Sequence, residues 1–278
     1  DLAKKFDVHR DKFVKKITEK YDIKNEKKIK HLKKTLYYIE TIGTALILVV
    51  IIQRFYIGNF KIPTGSMIPT IEVGDRVFAD MVSYKFTTPK RNSIIVFEEP
   101  IQNKVLYTKR AMGLPGERIK IEDDILYING EKIDFRRYSN LGIGDMEWRI
   151  PQKGDKLEII PAGNYNEAYK SASIDIAKVQ EELKNNSVSI YEFMPNLKFV
   201  VNGEETGPIL DFIHDKNILD KLLVGETVEV ILKDNYYLAL GDNTDNSFDS
   251  RYWGFVKDSR IRGRALVRFW PLNRIGLV

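Results

Sequence analysis

Cysteine is absent from the 278 residues, which at once excludes disulfides, thiolate nucleophiles and Cys-based zinc sites. The absence leaves the redox state of the compartment open. Histidine is scarce: His9, His31 and His214 are the three present, a poor basis for a multi-histidine metal centre. Internal repeats and low-complexity linkers are also missing. What remains is the composition of a folded protein, with 43% hydrophobic and 30% charged residues. One or two domains with a real core fit this length.

The net charge of +5 is unevenly placed. Residues 1–40 carry 13 Lys+Arg against 7 Asp+Glu, and the rest carries 31 against 32. The basic arm has apolar residues at helical spacing (Phe13, Ile17 and Tyr21, then Ile29, Leu32 and Leu36), as a solvated or membrane-surface helix would. It abuts an apolar segment, which favours a bilayer over nucleic acid as its neighbour.

That segment is uncharged from Thr41 to Gln53, and taken from Leu36 to Ile57 it makes about 33 Å of helix, enough to cross a bilayer core of roughly 30 Å. Glu40 and Arg54 would lie near the two interfaces, with Tyr37, Tyr38, Phe55 and Tyr56 as aromatic belts. The long preceding arm and the lack of a small-x-small site argue against a cleaved signal peptide. The lysines predict a cytoplasmic N-terminus, with everything after residue 58 on the far side.

Beyond residue 59 the pattern is that of strands. Arg76–Val82 alternates, Ser93–Phe97 is a short apolar run and Val105–Met112 is a third candidate. Ile119–Ile121 and Leu126–Ile128 follow, the latter running into an Asn129-Gly130 turn. Residues 135–228 have a weaker pattern, with helices expected at about 173–184 and 208–223 and a second turn at Asn202-Gly203. Strands resume at Val228–Leu232, Tyr236–Leu240 and Arg264–Trp270.

Three patches carry chemistry. Lys61-Ile62-Pro63-Thr64-Gly65-Ser66-Met67-Ile68-Pro69-Thr70 presents Ser66 between two prolines, which suits a nucleophile and equally an ordinary turn. A nucleophilic serine needs a base. His9 and His31 would lie across the membrane, and His214 falls in an expected helix. A lysine kept neutral by burial is the other known solution. Lys109, after Val105-Leu106-Tyr107-Thr108, is the candidate, although spacing alone does not single it out among many lysines. The third patch, Gly241–Gly254, holds Asp242, Asp245 and Asp249; a polar turn and a calcium loop are its alternative readings, though no Glu closes an EF-hand loop.

Together these patches resemble the type I signal peptidases, membrane-anchored serine proteases. Ser-Met-Ile-Pro-Thr at 66–70, Gly74-Asp75, Lys109-Arg110 with Gly113-Leu114-Pro115-Gly116, and the 241–251 run occur in the family's order. The likeness covers the anchor, about 59–133 and about 230–278, but not the arm or most of the intervening lobe. It implies Ser66 as nucleophile, Lys109 as general base, and Ser247 orienting the lysine. Thr64 takes the place of a hydroxyl residue that forms the oxyanion hole with the Ser66 N–H; many relatives have serine there. Asp249 with Arg251, together with Asp242 and Arg110, would brace the site. No cofactor or metal is implied. The implied substrate is a preprotein in the bilayer, cleaved after small residues at −1 and −3, with the export machinery as a further partner and no nucleic acid.

The expected molecule is therefore mainly β. It has a basic cytoplasmic arm (1–35), a transmembrane helix (36–58), a β-rich catalytic core (59–134 and 229–278) and an inserted mixed α/β lobe (135–228). The expected location is the bacterial inner membrane, single-pass, with the catalytic domain outside. Residues 137–226 are expected to shape substrate access or contact partners without supplying a catalytic group; the alternative is that they cover an apolar face of the core. Penicillin-binding proteins and β-lactamases are disfavoured because neither Ser-x-x-Lys nor Lys-Thr-Gly occurs. A soluble self-cleaving repressor-type protease is disfavoured by the anchor, and a non-catalytic membrane assembly protein by the intact Ser66 and Lys109.

Overall fold

The computed structural model describes residues 2–101, 105–140, 142–165, 167, 171 and 197–278. Its contacts divide the chain into two units, Asp1–Ile57 and Gly58–Val278. The first unit holds α1 (Leu2–Lys20) and α2 (Glu26–Phe55). Asn25 caps α2 by accepting a hydrogen bond from the Lys28 N–H at 3.3 Å. The two helices touch through Arg10–Glu40 at 3.1 Å and Lys33–Asp11 at 2.8 Å. Glu26–Ile52 is long and apolar enough to cross a membrane. Ile39, Ile42, Leu46, Ile47 and Val50 are all exposed, so no protein surface covers them among the described residues. The helix starts at Glu26 rather than residue 36, because lysine, glutamate and leucine extend it back to the Asn25 cap. It ends at Phe55 rather than residue 58, because Ile57 already belongs to a strand.

After α2 the strands are β1 (Ile57–Lys61), β2 (Arg76–Asp80), β3 (Ile94–Glu98), β4 (Leu106–Gly113), β5 (Arg118–Glu122), β6 (Ile125–Ile128), β7 (Glu131–Lys132) and β8 (Trp148–Arg149). They continue as β9 (Lys156–Pro161), β10 (Leu197–Val201), β11 (Glu204–Thr206), β12 (Val228–Ile231), β13 (Tyr236–Leu240), β14 (Val256–Lys257), β15 (Ile261–Trp270) and β16 (Gly276–Leu277). The main sheet runs β1-β2-β15-β3-β4-β13-β14, with β16 on β15. Two smaller sheets run β7-β6-β5-β8 and β11-β10-β9-β12. Both Asn-Gly turns form, at positive φ of 52° and 80° for Asn129-Gly130 and 51° and 84° for Asn202-Gly203. The Arg76 strand stops at Asp80, whose carboxylate accepts the Val82 and Ser83 N–H groups and turns the chain away.

The expected helix at 173–184 lies outside the described residues. The one expected at 208–223 is two pieces, a 3-10 turn Leu210–His214 and α3 (Lys216–Leu223). They are separated by Asp215, which stays extended and caps α3 by accepting from the Asn217 and Ile218 N–H groups.

One core joins all three sheets. Ile95, Phe97, Ala111 and Leu240 of the main sheet pack in the same cluster as Ile119, Ile128 and Trp148 and as Leu157, Ile159, Phe199 and Val201. The apolar face of the main sheet is thus covered largely by residues between 118 and 231. A second, smaller core of Ile62, Met67, Ile71, Val77, Ile94 and Ala265 lies beneath the segment that carries Ser66.

Candidate active site

The loop after β1 is fixed from below and from both ends. Met67 and Ile71 are buried as anchors in the smaller core, at 1% and 0% exposure. The Ile62 N–H donates to the Asp75 carbonyl and the Gly74 N–H to the Ile62 carbonyl, each at 2.9 Å, which closes the loop's neck. Arg268 Nη1 donates to the Thr70 carbonyl at 2.6 Å, tying the loop to β15. Ser66, held between Gly65 and Met67, is left on the cleft side.

Lys109 comes from β4, paired with Ile95 of β3. The alternation of the strand buries Lys109 and Ala111 on one face and leaves Arg110 less buried between them. The Lys109 side chain reaches the serine: Nζ donates to Ser66 Oγ at 2.6 Å. Burial lowers the Lys109 amine from its ordinary value to about 8; Asp249 raises it, Arg251 lowers it and Asp242 raises it, but desolvation wins. The two residues sit in a cleft of about 340 Å³ lined by 62–67, 105–109, Asn246 and Phe248. Thr64 is on this wall beside Ser66.

The run after β13 supplies the rest. Asn243 clasps the Ser66 backbone: its N–H donates to the Ser66 carbonyl and its Nδ2 to the Gly65 carbonyl, both at 3.0 Å. Gly241 lies so close beneath that an added Cβ would stand 2.5 Å from the Ser66 carbonyl oxygen and 2.1 Å from Ser247 Oγ. Only glycine fits there without moving the serine backbone. Ser247 is buried, and its Oγ has no hydrogen-bond partner among the described residues. Lys109 Nζ bonds Ser66 instead.

Asp249 and Arg251 form a pair with side-chain exposures of 0% and 1%. Arg251 Nε and Nη2 donate to the two carboxylate oxygens at 2.9 and 3.1 Å, and Nη2 also reaches the Thr244 carbonyl at 2.7 Å. Asp249 accepts the Gly241 N–H at 3.0 Å and caps the short helix α4 (Ser250–Trp253). Asp242 receives Arg110 through Nε at 2.7 Å and Nη2 at 2.6 Å, and the Thr70 hydroxyl at 2.5 Å. Burial opposes its charge, yet hydrogen bonds from Arg110 and Thr70, and the charges of Arg110 and Arg136, hold its carboxyl below the usual range.

Asp242 and Asp249 of this run therefore face arginines. Among the described residues no group of three or more His, Asp or Glu is arranged to hold a metal ion. His214 is remote in role: its ring contacts the Pro100 carbonyl at 2.9 Å. Thr70, Asn243 and Arg136 carried no assigned role in the sequence. The contacts that bring them to the site, to Asp242 and to Gly65 and Ser66, are far along the chain, so no local pattern points to them.

A sequence model of the family "Signal peptidase, peptidase S26" matches residues 35–270. Signal peptidase I of Buchnera aphidicola subsp. Schizaphis graminum is 31% identical over 80% of this chain and 70% of its own length. The probable signal peptidase I-2 of Synechocystis is 28% identical, over 86% of this chain and 75% of that one. Signal peptidase IB of Staphylococcus aureus is 25% identical over 87% and 92%. A crystal structure of a signal peptidase I from Enterococcus faecalis V583 shares 23% identity over 64% of this chain and 97% of that chain, at a TM-score of 0.27, too low to bear on the fold. On the extent of the sequence match, the chain belongs to the signal peptidase family, peptidase S26.

Proposed function

We propose that this peptidase removes signal peptides from exported preproteins, with Ser66 as nucleophile and Lys109 as general base. The observation that carries this reading is the 2.6 Å approach of Lys109 Nζ to Ser66 Oγ inside a cleft. In the working enzyme the amine is neutral and the bond reverses, so that the Ser66 hydroxyl donates to Nζ. Ser66 Oγ attacks the scissile carbonyl as Lys109 takes its proton. Lys109 then returns the proton to the leaving amine, giving an acyl-enzyme. Water, deprotonated by Lys109, then attacks the acyl carbon; the bond to Ser66 Oγ breaks, Lys109 returns that proton to Ser66 Oγ, and the product acid is released. The Ser66 N–H and the Thr64 hydroxyl are the proposed donors to the oxyanion.

The free edge of β4 supports an extended substrate. Its pairing with β13 begins at Arg110, so residues 106–109 have β3 on one side and the cleft on the other. A peptide added there pairs with backbone groups and presents alternate side chains to the walls. Cleavage after small residues at −1 and −3 is the proposed specificity.

The protonation state of Lys109 gives a test. Since the neutral amine is the active form and it titrates near 8, kcat/KM should fall about tenfold per pH unit below that value and level off above it. A profile flat from pH 6 to 10 on a signal-peptide substrate would argue against Lys109 as the base.

We further propose that α2 crosses the bacterial cytoplasmic membrane once, with the arm inside and residues after 58 outside. The 13 basic residues before the apolar run support this orientation. Protease added to spheroplasts should digest the part after 58 and spare 1–36. The opposite pattern would place Ser66 in the cytoplasm and overturn the orientation.

A further inference from the structure

Asp242 joins three pieces of the site. It binds Thr70 of the Ser66 loop and Arg110 of the Lys109 strand, and its neighbour Asn243 holds the Ser66 backbone. A second guanidinium also reaches it. Arg136 Nη2 lies 3.5 Å from Asp242 Oδ1, whose side chain is 2% exposed. Arg136 is itself propped. Its Nη1 donates to Asp134 Oδ2 at 2.7 Å and its N–H to Asp134 Oδ1 at 3.0 Å. Asp134 is in turn held by the hydroxyl of Tyr138, a buried residue, at 3.0 Å. An arginine steered by a buried tyrosine and a carboxylate onto an already paired aspartate has a defined place rather than a free surface.

We infer that Arg136 is a positioning residue for the proposed dyad: it completes the charge balance around Asp242, the carboxylate that ties the Ser66 loop to the Lys109 strand. The inference rests on the reading of Lys109 as the base. The charged and titratable groups around Lys109 are Asp249, Arg251 and Asp242, with the Tyr107 ring 5.6 Å from Nζ. Around Asp242 stand Arg110 and Arg136, and around Arg136 stand Asp134 and Tyr138. The carboxylates Asp134, Asp242 and Asp249 are matched by Arg110, Arg136 and Arg251. Removing Arg136 leaves one negative charge in excess on the hub, whose Asp242 already raises the Lys109 amine. That favours the ammonium form, so the acid limb of activity moves to higher pH.

The test is the pH dependence of kcat/KM on a signal-peptide substrate for the full-length chain, Arg136→Gln, Arg136→Met and Arg136→Lys. The neutral variants should shift the acid limb up by about 0.3 to 0.5 of a pH unit, as for one screened charge acting through Asp242, with the plateau kept within about twofold. Arg136→Lys, which keeps the charge, should superimpose on the wild type. The limb position is read from the folded fraction and does not depend on its amount, and Met keeps the side-chain stem should Gln fold poorly. A lowered plateau with an unmoved limb would make Arg136 merely structural and overturn the inference while the dyad stands. A wild-type profile with no limb near pH 8 would overturn the dyad and the inference together.

Discussion

Lys109→Ala is expected to lower kcat/KM by about 10⁴-fold or more, with the fold unchanged. The amine is the only group in hydrogen-bond contact with Ser66 Oγ among the described residues, and without it the hydroxyl keeps its proton at neutral pH. Ser66→Ala should cost as much. In the proposed dyad the two act as one unit, so the double variant should be no worse than either single. Loss of Lys109 empties a buried site of a costly cation, so the variant should also unfold no more readily than the wild type. Additive losses in the double variant, or turnover by Lys109→Ala near that of the wild type, would separate the lysine from the chemistry.

Arg251→Ala carries the largest expected effect on stability. Asp249 and Arg251 are almost fully enclosed, and removing one partner leaves the other charge without compensation, at a cost of about 3–5 kcal/mol. The Thr244 and Ser247 carbonyls lose their guanidinium donor as well, so the turn that carries Ser247 is released. Thermal unfolding in detergent should show a lower midpoint. Since Arg251 is one of the groups that lower the Lys109 amine, whatever activity survives should require higher pH. An unchanged midpoint would mean that the pair is not under the strain of burial that its exposure indicates.

Much of this architecture is legible in the chain because its signals are local. Val105–Met112 and Tyr236–Leu240 declare themselves as strands by composition, and Asn129-Gly130 and Asn202-Gly203 by turn chemistry. The pairing of Ser66 with Lys109 follows from family resemblance and from the shortage of histidine, not from spacing: the two are 43 residues apart. The start of α2 is harder to read because the lysine run that opens it carries only Ile29, Leu32 and Leu36 on its stripe and is too polar to announce a span, and its cap is a single Asn25 bond. β1 is hidden for the opposite reason, since Ile57 continues the apolar run of the helix before it. β9 and β10 pair across a gap of some forty residues, as Val201 does with Leu157, and only tertiary packing selects that register. Asp242 looks like a loop carboxylate in sequence. Its function as a hub depends on Thr70, Arg110 and Arg136, which no period or motif links to it.

In the proposed reaction Ser66, activated by Lys109, cuts the signal peptide from a preprotein. The most direct measurement is to incubate the purified full-length chain, reconstituted in lipid, with a preprotein and to map the products by mass spectrometry beside Ser66→Ala. The expected result is one cut after a small residue at the end of the signal peptide, made by the wild type and not by Ser66→Ala. Cleavage at the same bond by Ser66→Ala would contradict it.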